Sequence, residues 1–312
     1  NGRTNQTAAV WHPMETCVTA TWMKYLFQLL RLTGEPRFAD ELEKNLYNGL
    51  LGAQMPDGHW WAYFSGINGE RVPSQYQHAD VGLSCCVVSG PRALLLTPQW
   101  AVMNSAEGPV VNLYFPGSAE IVSPSGQPVR LIQTTEYPVG GSVEIAIELD
   151  KPEAFTLALR IPAWSEQTRL MVNNHPVEVS AGRYVRIQRT WNRRDRVRLD
   201  LDMRGRILEA PDGNGQLAVM RGPIVLSLDN RITPNRPMEV KLMLDRGGFP
   251  FIELRPNVAA AKKIGAWEAF DVPFVADGET NWLAMCDYAS AGNAWSEYNL
   301  YRTWIPQPIW LG

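Results

Sequence analysis

Apolar positions recur at helical spacing over Glu15–Gly34, where Val18, Trp22, Tyr25, Leu26, Leu29 and Leu30 form a stripe. Gly34 stands where a C′ glycine ends a helix, and Pro36 follows as a stop. Arg37–Leu51 predicts a second helix with Phe38, Leu42, Leu46 and Leu50 on one face, so the Gly-Glu-Pro link makes an antiparallel helical hairpin. A loop rich in aromatics and glycine follows from Met55 to Gly82, and Gly90–Trp100 predicts a third helix shortened by Pro98. From about Val110 the period becomes two. The runs VVNLYF, VRLIQTTEYPV, SVEIAIELD, FTLALRIPAW, RLMVNNHPVEV, RYVRIQRTW and RVRLDLDM alternate apolar and polar residues between turn signals, which predicts an antiparallel β-sandwich. Gln216–Leu228 opens another β-unit, and Arg231–Gly312 mixes short strand-like runs with proline, glycine and tryptophan. The predicted class is α plus β and multidomain: helices over 1–103, a β-sandwich over 104–206 and a second β-rich module over 207–312.

Composition narrows the classes. With 312 residues, 45% of them hydrophobic and 20% charged, the chain has the profile of a globular protein of two or three domains. A net charge of −3 lacks the basic excess of a nucleic-acid binder, so no nucleic-acid partner is expected. No apolar run reaches the roughly 20 residues of a membrane span. The start, NGRTNQTAAV, shows neither a signal-peptide pattern nor an initiator methionine, which predicts a processed chain or a fragment. Asn5-Gln6-Thr7 fits a glycosylation sequon and is read as chance.

Candidate chemistry concentrates early. Cys17, Cys85 and Cys86, with His12, His59 and His78, all fall in the first 86 residues. Three thiolates and one further N or O donor would complete a tetrahedral zinc site; equally, Cys17 could be apolar filling and Cys85–Cys86 an accident. Cys286, inside WLAMCDYAS, reads as core. Glu15 is either a first-turn glutamate favoured by the helix dipole or a general acid whose pKa is raised by apolar neighbours such as Trp11 and Trp22. His12, His59 and His78 are ligands, substrate contacts or polar loop residues. Trp60, Trp61, Tyr63 and Phe64 suit sugar stacking and suit packing of the loop onto the helices.

At these residues the sequence resembles glycoside hydrolase family 127, the β-L-arabinofuranosidase family. METCVTATWM, RLTGEPRFADELEKNLYNGLLGAQ and LSCCVVSGPRALLL carry the resemblance, and VVNLYFPGSAEI, LALRIPAWSE, RYVRIQRTW and QLAVMRGPIVLSL resemble its accessory β-sandwich region. The resemblance implies a retaining exo-glycosidase with an (α/α)6 barrel followed by β-sandwich modules, of which this chain would be the C-terminal part. It implies zinc as cofactor, with Cys17, Cys85 and Cys86 as ligands, Cys85 as nucleophile and Glu15 as acid/base. Tyr63 falls near a family tyrosine that contacts the sugar, and His12, His59 and His78 are candidate substrate contacts. The resemblance implies a plant-derived oligo- or polysaccharide as partner; the compartment, bacterial periplasm or cytoplasm, and the oligomeric state stay open.

Two departures bear on the site. Ser89 replaces the asparagine of the family's Cys-Cys-x-x-Asn-x-x-Arg pattern, which ends at Arg92. The family's fourth zinc ligand is a glutamate upstream of Glu-Thr-Cys, yet Asn1–Met14 holds no acidic residue. The expectation is that this ligand, and further barrel helices, precede Asn1; the alternative is that His12 substitutes for it. A non-catalytic carbohydrate-binding or scaffold protein with a structural zinc site is the alternative reading, and a Cys85–Cys86 redox pair is a third.

Overall fold

The computed structural model describes residues 14–74, 84–211, 215–233, 250–276 and 279–306. Two compact units interleave along the chain. One takes the sequence up to Trp22, then Lys44–Ala93 and Arg204 onward; the other takes Met23–Glu43 and Leu94–Met203.

Helix α1 (Thr16–Thr33) ends as the sequence predicts, with Gly34 left-handed at φ 66° and its N–H donating to the Leu30 carbonyl at 2.8 Å. Its buried face runs through Thr16, Ala20, Met23, Leu26 and Leu30, whereas Val18, Trp22 and Tyr25 of the predicted stripe are exposed. The true inward face lies one position off the stripe, because small and hydroxylated residues share it. Helix α2 (Pro36–Lys44) is shorter than predicted: a π-helical turn over Asn45–Leu50 and a 3-10 turn over Leu51–Ala53 replace its second half. The wide turn carries Asn48, whose side chain donates to the Pro223 carbonyl and accepts from the Val225 N–H, at 2.8 and 2.9 Å. A two-residue strand, β1 (Asn68–Gly69), follows. Helix α3 (Cys85–Ala101) starts five residues before its predicted start and passes through Pro98. Ser84 caps it, its hydroxyl accepting from the Cys86 N–H at 3.3 Å.

The second unit holds two sheets over the segment for which the sequence predicts a sandwich. One sheet has the order β10 (Arg183–Trp191), β7 (Glu153–Ile161), β3 (Gly108–Val111), β2 (Val102–Ser105). The other runs β4 (Gly117–Val122), β5 (Pro128–Thr135), β6 (Ser142–Leu149), β11 (Arg196–Asp200), β8 (Arg169–Val172), β9 (His175–Val177). Pairing is antiparallel except between β3 and β7. Strand β6 alternates buried and half-buried residues in the predicted period of two, while β7, flanked on both sides, is buried from Phe155 to Ile161. That burial includes Arg160, which pairs with Asp40 and with Glu43 Oε1 at 2.5 Å, while Trp164 Nε1 donates to Glu43 Oε2 at 3.2 Å. A buried guanidinium is tolerable only with such partners.

In the first unit, a sheet of ten strands among the described residues has the order β15 (Phe251–Ile252), β12 (Gly205–Glu209), β13 (Gln216–Arg221), β14 (Ile224–Asp229), β18 (Glu279–Asp287), β17 (Ala269–Ala276), β16 (Arg255–Pro256), with β1, β19 (Tyr301–Arg302) and β20 (Ile305–Pro306) attached. Helix α4 (Val258–Ile264) packs near it, and Cys286 lies in that core with Tyr288 and Tyr301 as predicted. The fold is thus mixed α and β; among the described residues α1 to α3 are too few to close a barrel. No described helix is long and apolar enough to cross a membrane.

Candidate metal centre

The thiols and Glu15 meet where two helices begin. Glu15 immediately precedes α1, Cys17 sits in its first turn, and Cys85 and Cys86 open α3. The first N–H groups of a helix lack intrahelical partners and carry partial positive charge, so both starts favour anionic donors. One carboxylate oxygen and three sulfurs, from Glu15, Cys17, Cys85 and Cys86, all lie within 4.8 Å of one another. The Cys17 and Cys86 sulfurs are 3.5 Å apart, and those of Cys85 and Cys86 3.9 Å. All four cysteines of the chain are free thiols, so the adjacent pair is not a disulfide.

The aromatic loop builds one wall. Backbone bonds run from the Thr16 N–H to the Tyr63 carbonyl at 2.9 Å and from the Ser65 N–H to the Met14 carbonyl at 3.0 Å, clamping Glu15 opposite Phe64. The Thr16 hydroxyl adds a 2.7 Å bond to the Ala62 carbonyl. Thus a segment remote in sequence fixes where Glu15 and Cys17 point. Trp61 is buried, with its ring against Gly90 of α3, where an added Cβ would lie 2.3 Å from Cε3. For this tryptophan, packing of the loop is the role the structure shows. Trp60 donates its indole N–H to the Ser74 carbonyl at 2.9 Å.

Burial first, and the neighbouring Cys85, push the Cys17 thiol above its ordinary value, with a Ser89 hydrogen bond opposing. Burial pushes Cys86 much further up, reinforced by the Cys17 and Cys85 sulfurs. Such crowding of soft anionic donors is costly by itself and favourable around a divalent cation, which inverts the local pKa logic. The donor set of three thiolates and one carboxylate therefore fits a metal ion, and its softness fits zinc.

The remaining candidates are dispersed. Tyr63 is present through its carbonyl, 3.8 Å from the Cys86 sulfur, and its ring packs on Phe64 at 4.6 Å. His59 sits on an exposed turn, its backbone N–H donating to Asp57 at 3.0 Å and its Nδ1 4.0 Å from the same carboxylate, and it does not join the donor group. His12, Trp11 and His78 lie outside the described residues. Sequence reasoning missed Ser84 as the α3 cap and Glu15 as a donor beside the thiols. The second had a signal: Glu15 is two residues from Cys17, and three soft ligands left a fourth position to fill.

Comparison with known proteins bears on the same segments. Residues 2–97 match the sequence profile of the β-L-arabinofuranosidase family 127 catalytic domain, and residues 109–203 that of its middle domain. A non-reducing end β-L-arabinofuranosidase of Bifidobacterium longum is 26% identical over 233 residues, covering 68% of this chain and 34% of its own. A solved family 127 β-L-arabinofuranosidase from Geobacillus stearothermophilus T6 superposes with a TM-score of 0.78 at 21% identity, covering 94% of this chain and 50% of that one. A family 127 β-arabinofuranosidase structure gives 0.80 at 23% identity, covering 98% and 51%, and a structure titled glycoside hydrolase gives 0.77 at 24%, covering 95% and 52%. The chain thus spans about a third of the length of the Bifidobacterium relative and about half that of the solved ones. With both profiles drawn from one family and matching consecutive segments, the chain belongs to glycoside hydrolase family 127.

Proposed function

We propose that this chain carries the metal and nucleophile half of a zinc-dependent, retaining exo-glycosidase acting on β-L-arabinofuranosides or a related plant-glycan sugar. The observation that carries the reading is the meeting of four donor atoms, from Glu15, Cys17, Cys85 and Cys86, within 4.8 Å at two helix starts. Family membership and the activity named for the Bifidobacterium relative supply the substrate class. In this reading 1–103 is part of an (α/α)6 barrel, 104–206 the β-sandwich and 207–312 the second β-rich module.

Cys17, Cys85, Cys86 and Glu15 would hold the ion. Bound zinc lowers the pKa of a ligating thiol and fixes it as thiolate. Among the three sulfurs, Cys86 is buried, whereas Cys17 and Cys85 are both half-buried. Burial sets Cys86 aside, and the match of Cys85 to the family motif makes Cys85 the nucleophile in this proposal. Its sulfur forms a bond to the anomeric carbon as the glycosidic C–O bond breaks, and water then displaces the sulfur, giving net retention. Glu15 moves from acid/base to fourth ligand in this proposal: a carboxylate engaged with a cation has no proton to give. The proton for the departing oxygen comes from an acid outside the donor set. The tetrad also meets the need for a fourth ligand without an upstream glutamate.

The test is release of aglycone from aryl β-L-arabinofuranosides by the zinc-loaded protein. Cys85→Ser is expected to abolish turnover while the circular dichroism spectrum is unchanged. Retained turnover in that variant overturns the assignment.

A further inference from the structure

The second unit carries a cleft of its own, built from residues other than the thiol cluster. A cleft of about 580 Å³ opens between the outer strand of the six-stranded sheet, β9, and the outer strand of the four-stranded one, β10, where the chain crosses from one sheet to the other. Arg169 at the start of β8 and Arg183 at the start of β10 both line it.

Their state sets them apart from the other strand arginines of this unit. Arg130, Arg160, Arg186, Arg189, Arg196 and Arg198 each meet a carboxylate. Arg169 and Arg183 have no such partner among the described residues, although Glu178 lines the same cleft. Guanidinium groups match carboxylates by paired, parallel hydrogen bonds. Glu178 disfavours a phosphate monoester, whose greater charge it would repel, more than a single carboxylate, and offers an acceptor for hydroxyl groups. Half-buried Val179 and Val185 supply an apolar strip, and Tyr184 beside them is held by its hydroxyl 2.5 Å from Asn112 Oδ1.

Two unpaired cations, one hydroxyl acceptor and an apolar wall together describe a sugar that bears a carboxylate. We infer that this cleft binds a uronic-acid residue of a polysaccharide. A glycan carrying both neutral and acidic sugars would thereby be anchored through its acidic residues.

Calorimetric titration of the full chain with trigalacturonate, set beside the neutral galactose trimer, tests this. Saturable binding of the acidic trimer is expected, with the neutral one weaker by about tenfold or more. Arg169→Gln with Arg183→Gln should weaken binding by about tenfold or more, and Ser180→Trp, which fills the cleft and keeps both charges, should do the same. Cys85→Ser should bind as the wild type does. Equal affinity for the neutral trimer, or for heparin as a general polyanion, overturns the proposal. So does binding indifferent to both cleft variants, or their self-association without loss of binding, which would make the arginines guards of open sheet edges.

Discussion

Glu15 decides how the centre is read. Placed with the Cys17, Cys85 and Cys86 sulfurs, its carboxylate is one of four donors that all lie within 4.8 Å of one another. As a ligand it would supply the fourth donor to the ion and a further negative charge beside the three thiolates. Glu15→Gln, which keeps the shape and removes the anionic donor, is expected to weaken zinc binding by about tenfold or more in competition with a chromophoric chelator. Unchanged affinity with lost turnover would return Glu15 to proton transfer. Side chains around it follow the same logic: Ser84 caps α3 so that Cys85 and Cys86 occupy its first turn, and Ser89 lies one turn further along.

At the level of elements, the centre depends on how the loop over residues 60–65 is seated. Its backbone clamps the start of α1, and Trp61 fills the space left by Gly90 on α3. Gly90→Ala would drive a methyl group into the Trp61 ring, 2.3 Å from Cε3, so the loop or the helix must shift. A loss of about 1 to 3 kcal/mol in unfolding free energy is expected, measured by denaturant titration, together with weaker zinc binding. An unchanged midpoint would show that Trp61 is not wedged there. This dependence explains what the sequence could and could not tell. The strands of the second unit were readable because buried residues such as Val143, Ile145, Ile147 and Leu149 alternate along β6 with half-buried ones. The C-terminal end of α1 was readable from Gly34 and Pro36. The π-turn at Asn45–Leu50 was not, because it is stabilised by Asn48 bonding to Pro223 and Val225, residues far along the chain. The fourth donor was hidden for a related reason: its position is set by the Tyr63 and Ser65 backbone, a contact no local periodicity encodes.

For the molecule as a whole, folding stability is linked to pH through Glu268, which stands beside Arg221 at 2.7 Å. Burial pushes its carboxyl up from an ordinary 4.5 to about 7; Arg221 opposes the shift and Asp287 adds to it. Because the folded-state value is raised, the folded protein holds this proton more tightly than the unfolded chain. The contribution is complete below about pH 4.5 and is lost as pH rises through about 7, with a ceiling of about 3 kcal/mol. Relative to Glu268→Gln, which has no proton to lose, wild-type protein should therefore lose stability between those limits in thermal unfolding across pH. A difference between the two that stays constant with pH would contradict this.

The central claim is that Glu15, Cys17, Cys85 and Cys86 form one metal centre, and zinc content tests it most directly. After exhaustive dialysis, elemental mass spectrometry is expected to find about one zinc per chain, as a four-ligand site requires, with the metal lost in Cys86→Ser. Wild-type protein that retains no stoichiometric metal, or a Cys86→Ser variant that retains all of it, would contradict the account.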